Sequence, residues 1–234
     1  HKQDIMEMGN LRKYMPITYI TMCIGTLALI GFPGFSGFFS KDLIIMATQQ
    51  SNLAASNLAY YAVLFSVFIT ALYSFRLLFL VFHTKERMDT KTKSHLKESP
   101  VTVWLPLVLL AIPSVIIAYP FVTGILDDFF LDAIKVISTH NVLKELNNDY
   151  HGILPFIGHG FLSLPFYLAL LGFFVAWVSY IKYPNIPRII VKIFKPVYLT
   201  LTNKYWFDEF NQKVVANLVK LSGWACWRFG DRFF

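Results

Sequence analysis

Charge is scarce in this chain. Only 15% of its 234 residues are Asp, Glu, Lys or Arg, while 56% are hydrophobic and mean hydropathy is +0.52. A soluble domain carries about 25% charged residues, so the composition excludes an ordinary water-soluble fold and points to an integral membrane protein. Cysteine is scarcer still. Cys23 and Cys226 lie far apart with no CxxC spacing, which excludes a disulfide framework and a thiolate metal site. His83, His95, His140, His151 and His159 fall in links or at segment ends without metal-ligand spacing, and are expected to be solvated. Neither a phosphate-binding glycine loop nor a Ser-His-Asp pattern is present, so the chain is expected to bind no redox cofactor and no metal. The net charge of +7 comes from residues flanking apolar segments, not from a basic-aromatic face clear of them, and nucleic acid is not an expected partner. The first stretch is polar, with no short apolar core of a cleavable leader. The chain begins with His1 and is read as a piece of a larger protein.

What the chain does have is long apolar runs. Four are of spanning length: 15–47, 58–82, 101–122 and 160–181. The expected fold is therefore an all-α integral membrane protein with four transmembrane helices. A loop (1–14) precedes the transmembrane bundle (15–182), an amphipathic link (123–159) lies on one side of it, and a connector with a further helix follows (183–234). The third run carries Pro106, Pro113 and Pro120. Outside the runs, seventeen Lys and Arg fall on one side of the alternation and two on the other. By the positive-inside rule the N-terminus, the 83–100 link and the tail are cytoplasmic, or matrix-facing.

The first run is too long. Laid straight, its 33 residues would reach roughly 50 Å against a hydrocarbon core of about 30 Å. Gly31-Phe32-Pro33-Gly34, followed by Gly37, marks where it breaks, because proline removes a backbone donor and glycine tolerates irregular geometry. Within this run the charged residues are Lys41 and Asp42 alone. Non-helical backbone at membrane depth is tolerated only inside protein or beside water, and ionisable groups there are functional candidates. Lysine suits proton carriage because desolvation readily shifts its pKa. The other reading is that Lys41, some 25 residues after Pro16, snorkels to the far interface. Arg76 is similarly divided between snorkelling and pairing with a carboxylate on a neighbouring helix, with Tyr73 and Ser74 beside it.

Two further helices are expected outside the spans. Leu126, Phe129, Phe130, Ala133, Ile134 and Ile137 recur at helical spacing in the 123–159 link. In the tail, Phe207, Phe210, Val214, Leu218, Leu221 and Ala225 form an apolar stripe opposite Glu209, Lys213, Asn217 and Lys220. With Trp206, Trp224 and Trp227 this predicts an amphipathic lateral helix along the cytoplasmic surface.

Several of these segments resemble one known family. His1-Lys-Gln-Asp-Ile-Met-Glu-Met-Gly-Asn-Leu-Arg-Lys-Tyr-Met-Pro16 is similar to the loop entering the twelfth helix of the large antiporter-like membrane subunits of respiratory complex I. Gly31-Phe-Pro-Gly-Phe-Ser-Gly-Phe-Phe-Ser-Lys41-Asp42 resembles that broken helix itself. Tyr73-Ser-Phe-Arg76 with Phe82-His83 resembles the next helix, and Asn203-Lys-Tyr-Trp-Phe-Asp208-Glu209 the start of the lateral helix. The lateral helix and a lysine at position 41, where related subunits carry glutamate, point to the member called L in bacteria, the fifth mitochondrially encoded subunit.

The resemblance implies a proton-translocating subunit of NADH:quinone oxidoreductase, with Lys41 and Asp42 near the outlet of a proton path and Arg76 as a supporting charge. NADH, FMN, iron–sulfur clusters and quinone would belong to other subunits. The partners would be other membrane subunits, contacted along the lateral helix, and membrane lipids. The expected location is a bacterial inner membrane, with the mitochondrial inner membrane as the other setting. The family's earlier path residues would lie upstream of His1 and its last membrane helix downstream, leaving about half a channel here. The alternatives are a multisubunit sodium/proton antiporter or membrane-bound hydrogenase subunit of the same superfamily, and a purely structural clamp.

Overall fold

The computed structural model describes residues 4–126, 129 and 142–232, and every regular element among them is helical. Residues 1–184 form one compact unit and 185–234 a second.

The first unit opens on α1 (Pro16–Ile30) and α2 (Ser36–Gln50), the two halves of the overlong run. Its next helix, α3 (Ser56–Leu78), continues through a π turn to His83, followed by a short α4 (Thr90–Ser94). The prolines of the third run take effect as a bend: α5 (Val101–Ile116) and α6 (Ala118–Leu126) meet at 42°. After α7 (Val142–Asp149), the chain forms α8 (Ile153–Leu162) and α9 (Leu164–Trp177), which runs on through a π turn to Lys182. The amphipathic helix expected on Phe130–Ile137 lies outside the described residues.

Two stretches, Ser56–His83 and Leu164–Lys182, are long and apolar enough to cross a membrane, and the bent α5–α6 pair makes a third. The fourth run differs from expectation. Residues 160–162 belong to α8, and the long helix starts only at Leu164. Pro165 explains this, since its ring would clash with the carbonyl of Phe161 and it has no N–H to continue the ladder.

Contacts fix the helix directions. Tyr19 stacks near Phe82 and His83, so the start of α1 meets the end of α3 and the two run antiparallel. The α3–α9 pair, the most extensive among the described residues, runs parallel: Phe75 packs on Phe173 and Arg76 lies over Tyr180. Small residues allow this close approach. Ala71 and Ala176 are fully buried, and a Cβ on Gly172 would meet the Ala71 methyl at 2.7 Å and the Phe68 carbonyl at 2.8 Å. α5 runs parallel to α1, tied by Glu98 at its start and by Ser36 to Ser114 near its end. The starts of α1 and α5 and the ends of α3 and α9 therefore share one end of the bundle, the end with the basic links.

The second unit contains α10 (Ile186–Ile193), α11 (Lys195–Thr202), α12 (Phe207–Phe210) and α13 (Ala216–Cys226), with π turns at Asn211–Val215 and Trp227–Asp231. Helical backbone is thus continuous from Phe207 to Asp231, and Phe207, Phe210, Leu218 and Leu221 are all exposed. The π turns shift the apolar stripe relative to a strict 3.6 period. An ion pair, Lys204 to Asp208 at 3.0 Å, joins the turn before this helix to its first residues.

Candidate functional site

α1 ends in a Schellman motif. Gly31 adopts φ +79°, its N–H donates to the Ala28 carbonyl, and the Phe32 N–H donates to Leu27. The next carbonyl, Leu29, would in a continuing helix accept from residue 33. That residue is Pro33, which has no N–H. The Lys41 ammonium takes the empty place and donates to the Leu29 carbonyl. The end of α1 carries the negative pole of the helix dipole, so a cation is favoured there. Gly37 makes the approach possible: a Cβ on it would lie 1.9 Å from the Ala28 carbonyl oxygen. Gly34 adopts φ +94° and its carbonyl accepts from the Tyr119 hydroxyl at 2.8 Å, which fastens the break to α6. Pro33, Gly34, Gly37 and Lys41 thus act as one construction.

Lys41 and Asp42 line a cavity of about 20 Å³ open to the centre of a water molecule, enough for one water. Its walls come from both sides: Gly31 and Pro33 from the first break, Val67 from α3, and Gly160, Ser163 and Pro165 from a second break between α8 and α9. At this second break Ser163 is extended (φ −80°, ψ 150°) and its hydroxyl turns back to the Gly160 carbonyl at 2.7 Å. Reading 160–181 as one apolar run missed it, although Ser163-Leu164-Pro165 carried the signal. Asp42 is 5% exposed.

The cavity's depth bears on snorkelling. Val67 is eleven residues from the start of α3 and sixteen from His83, or roughly 17 Å and 24 Å along the helix. Lys41 faces this middle level, because the break turns α2 back instead of carrying it outward. Arg76 does not line the cavity. Its guanidinium sits 5.7 Å from the centre of the Tyr180 ring, a cation–π contact.

The basic end is bonded far more densely. Glu86 accepts from Asn10 (3.1 Å) and Tyr14 (3.2 Å) and pairs with Lys93 at 2.7 Å. Lys93 and then Asn10 hold the Glu86 carboxyl below its ordinary range. Glu98 caps α1 from a distant link, accepting from the Ile17 N–H and the Thr18 hydroxyl, both at 2.7 Å. Burial pushes its carboxyl up, but these bonds outweigh that and the net direction is down. Arg87 donates to the Met6, Ile5 and Leu80 carbonyls and the Thr84 hydroxyl. His83, expected to be solvated, is instead half-buried between Arg12 (3.3 Å) and the Tyr19 hydroxyl (3.1 Å). Both partners lie more than sixty residues away, so nothing local announced them.

Residues 1–70 match the family described as the transmembrane part of NADH:quinone oxidoreductase/Mrp antiporter. The chain is similar along its whole length to NADH-quinone oxidoreductase subunit L of Neisseria meningitidis serogroup A, 43% identical over 99% of this chain and 37% of that one. NADH-ubiquinone oxidoreductase chain 5 of Chondrus crispus is 33% identical over 100% of this chain and 36% of its own. Subunit L of Rhodobacter capsulatus is 30% identical over 99% and 41%. The chain spans about 37% of the length of the Neisseria relative. Over nearly its full extent the chain is thus similar to one part of these subunit L and chain 5 proteins.

Proposed function

We propose that this chain is the part of a proton-translocating subunit of NADH:quinone oxidoreductase that carries protons past Lys41 and Asp42 toward the outer side of the membrane. The supporting observation is the Lys41 ammonium on the Leu29 carbonyl freed by Pro33, beside a water-sized cavity midway along α3. A lysine there is held by one neutral acceptor at the negative end of a helix. It is therefore sensitive to any charge displaced nearby, and can load and release a proton as redox events elsewhere in the complex shift such charges. The chain itself performs no redox step. NADH, flavin, iron–sulfur clusters and quinone belong to other subunits in this reading.

The reading includes four crossings, the first broken at Pro33-Gly34, with the basic end of the bundle toward the cytoplasm or matrix. Parallel α3 and α9, and α1 antiparallel to α3, support that alternation. The exposed apolar side chains of 207–231 support a lateral helix covered by lipid and by neighbouring membrane subunits. The family description at residues 1–70 spans oxidoreductase and antiporter alike, whereas the relatives that match the tail as well carry oxidoreductase names; this favours the oxidoreductase. The setting is a bacterial inner membrane.

Lys41→Ala in the full assembled complex tests the reading. NADH oxidation in the presence of an uncoupler should persist, and proton uptake into inverted vesicles should fall severalfold. Unchanged uptake with intact assembly would leave the snorkelling reading of Lys41 standing.

A further inference from the structure

Two bends of the chain lie near one another, and each is bonded to the other. The first is the α1–α2 break. Gly34 stands before the Phe35 cap of α2, outside both helices. The second is the α5–α6 bend at Ile117, just after Pro113. Ser114 is among the last four residues of α5, whose carbonyls run short of helical donors. Each of these two carbonyls takes a hydroxyl from the opposite bend. Tyr119, the second residue of α6, donates to Gly34 at 2.8 Å. Ser36, the first residue of α2, donates to Ser114 at 2.8 Å. Each bend therefore gives one hydroxyl and accepts one.

This exchange reaches Lys41 by two routes. Along the backbone, Gly34 lies between Leu29 and Lys41, the two residues whose bond spans the break. Gly31 packs against the Lys41 stem, where a Cβ would lie 3.3 Å from Cδ. Displacing the break thus displaces the acceptor relative to the ammonium. Through side chains, the Tyr119 ring lies edge-on to Phe39 with centroids 5.4 Å apart. Phe39 is buried, stands two residues before Lys41, and packs on Phe38, which lines the cavity. Packed interiors of this kind shift between discrete arrangements and do not deform smoothly. Neither Ser36 nor Tyr119 lines the cavity itself, so both act through the break.

We infer that Ser36 and Tyr119 are positioning residues for Lys41, joining the α5–α6 bend to the α1–α2 break so that the two change shape as one unit. The inference rests on the proton-translocating reading of Lys41. While both bonds are made, Gly34 is held and the ammonium keeps its place on the Leu29 carbonyl. A change in the α5–α6 bend pulls Gly34 with it and alters how firmly Lys41 is held. A helix already bent near proline suits this role, because fewer backbone bonds oppose further bending.

The test uses the assembled oxidoreductase in inverted vesicles. Proton uptake per NADH oxidised is measured for Tyr119→Phe, Ser36→Ala, Ser36→Thr, the double variant Tyr119→Phe with Ser36→Ala, and Lys41→Ala. Phenylalanine keeps the ring on Phe39 and removes the hydroxyl alone. Loss of one hydrogen bond should lower uptake about threefold in Tyr119→Phe and in Ser36→Ala, with NADH oxidation under uncoupler retained. The double variant should also fall about threefold, not the roughly ninefold expected of independent effects. Ser36→Thr keeps a hydroxyl and should retain most of the uptake. Unchanged uptake in the Ser36 and Tyr119 variants while Lys41→Ala is impaired would overturn the inference and leave the function in place. A loss in only one single variant, a multiplied loss in the double variant, or a loss that Ser36→Thr shares would assign ordinary packing roles and also overturn it. Unchanged uptake in every variant, Lys41→Ala included, would remove the underlying reading of Lys41 together with this one.

Discussion

The basic end of the bundle and its interior handle polar groups in opposite ways. At the basic end Glu86 has three partners, Arg87 four, and Glu98 caps a helix that begins 82 residues earlier. In the interior Lys41 has one acceptor and buried Asp42 has none among the described residues. Fully satisfied groups hold a structure in one state, whereas a sparsely satisfied ionisable group responds when a charge or water moves beside it. The first pattern suits a clamp that keeps α1, α3 and α5 in register. The second suits a site that must change protonation state without the frame moving.

The sharpest way to break this comparison is to push the interior apart. Gly37→Ala should destabilise the bundle by about 3 kcal/mol, because the new Cβ meets a backbone oxygen that cannot rotate away. Gly160→Ala, which meets the rim of the Phe38 ring, should cost less, since a side chain can yield. Thermal unfolding of the purified complex or its assembly yield would show the order, and equal stability of Gly37→Ala and wild type would contradict it. Arg87→Ala comes next. It removes four bonds from an exposed position, so about 1–2 kcal/mol is expected. Faster amide exchange should appear at residues 5–6 and 80–84 and not around Lys41.

The smallest effect is the pH dependence of the clamp. Glu86 and Glu98 both have carboxyls held below their ordinary range. Their contribution is therefore fully present above the ordinary glutamate pKa of about 4.3 and is lost as pH falls through the lowered one. Glu98→Ala should loosen the start of α1 by about 1 kcal/mol, as for a lost helix cap, and should flatten this acid dependence. Amide exchange at Ile17 and Thr18 between pH 3 and 6 would measure both, and an unaltered profile would remove the capping role.

Much of the frame was legible in the sequence. Pro33 between two glycines announced the break, because no helix can satisfy the carbonyl four residues before a proline. The lysine count across links gave the direction of the runs, and the contacts of Tyr19, Phe173 and Tyr180 agree with it. What escaped was whatever depends on the chain folding back on itself. The Leu29 carbonyl is twelve residues from Lys41, and only the reversal at the break joins them. The second break was hidden because Ser163-Leu164-Pro165 interrupts an otherwise uninterrupted hydropathic run. His83 looked like a solvated end because its neighbours in sequence are ordinary, whereas its neighbours in space are Arg12 and Tyr19.

The most direct measurement compares proton uptake per NADH oxidised in vesicles carrying Lys41→Ala with those carrying Glu98→Ala, at equal amounts of assembled complex. The account predicts a severalfold fall for the interior variant and a ratio near wild type for the clamp variant. A wild-type ratio for Lys41→Ala would contradict it.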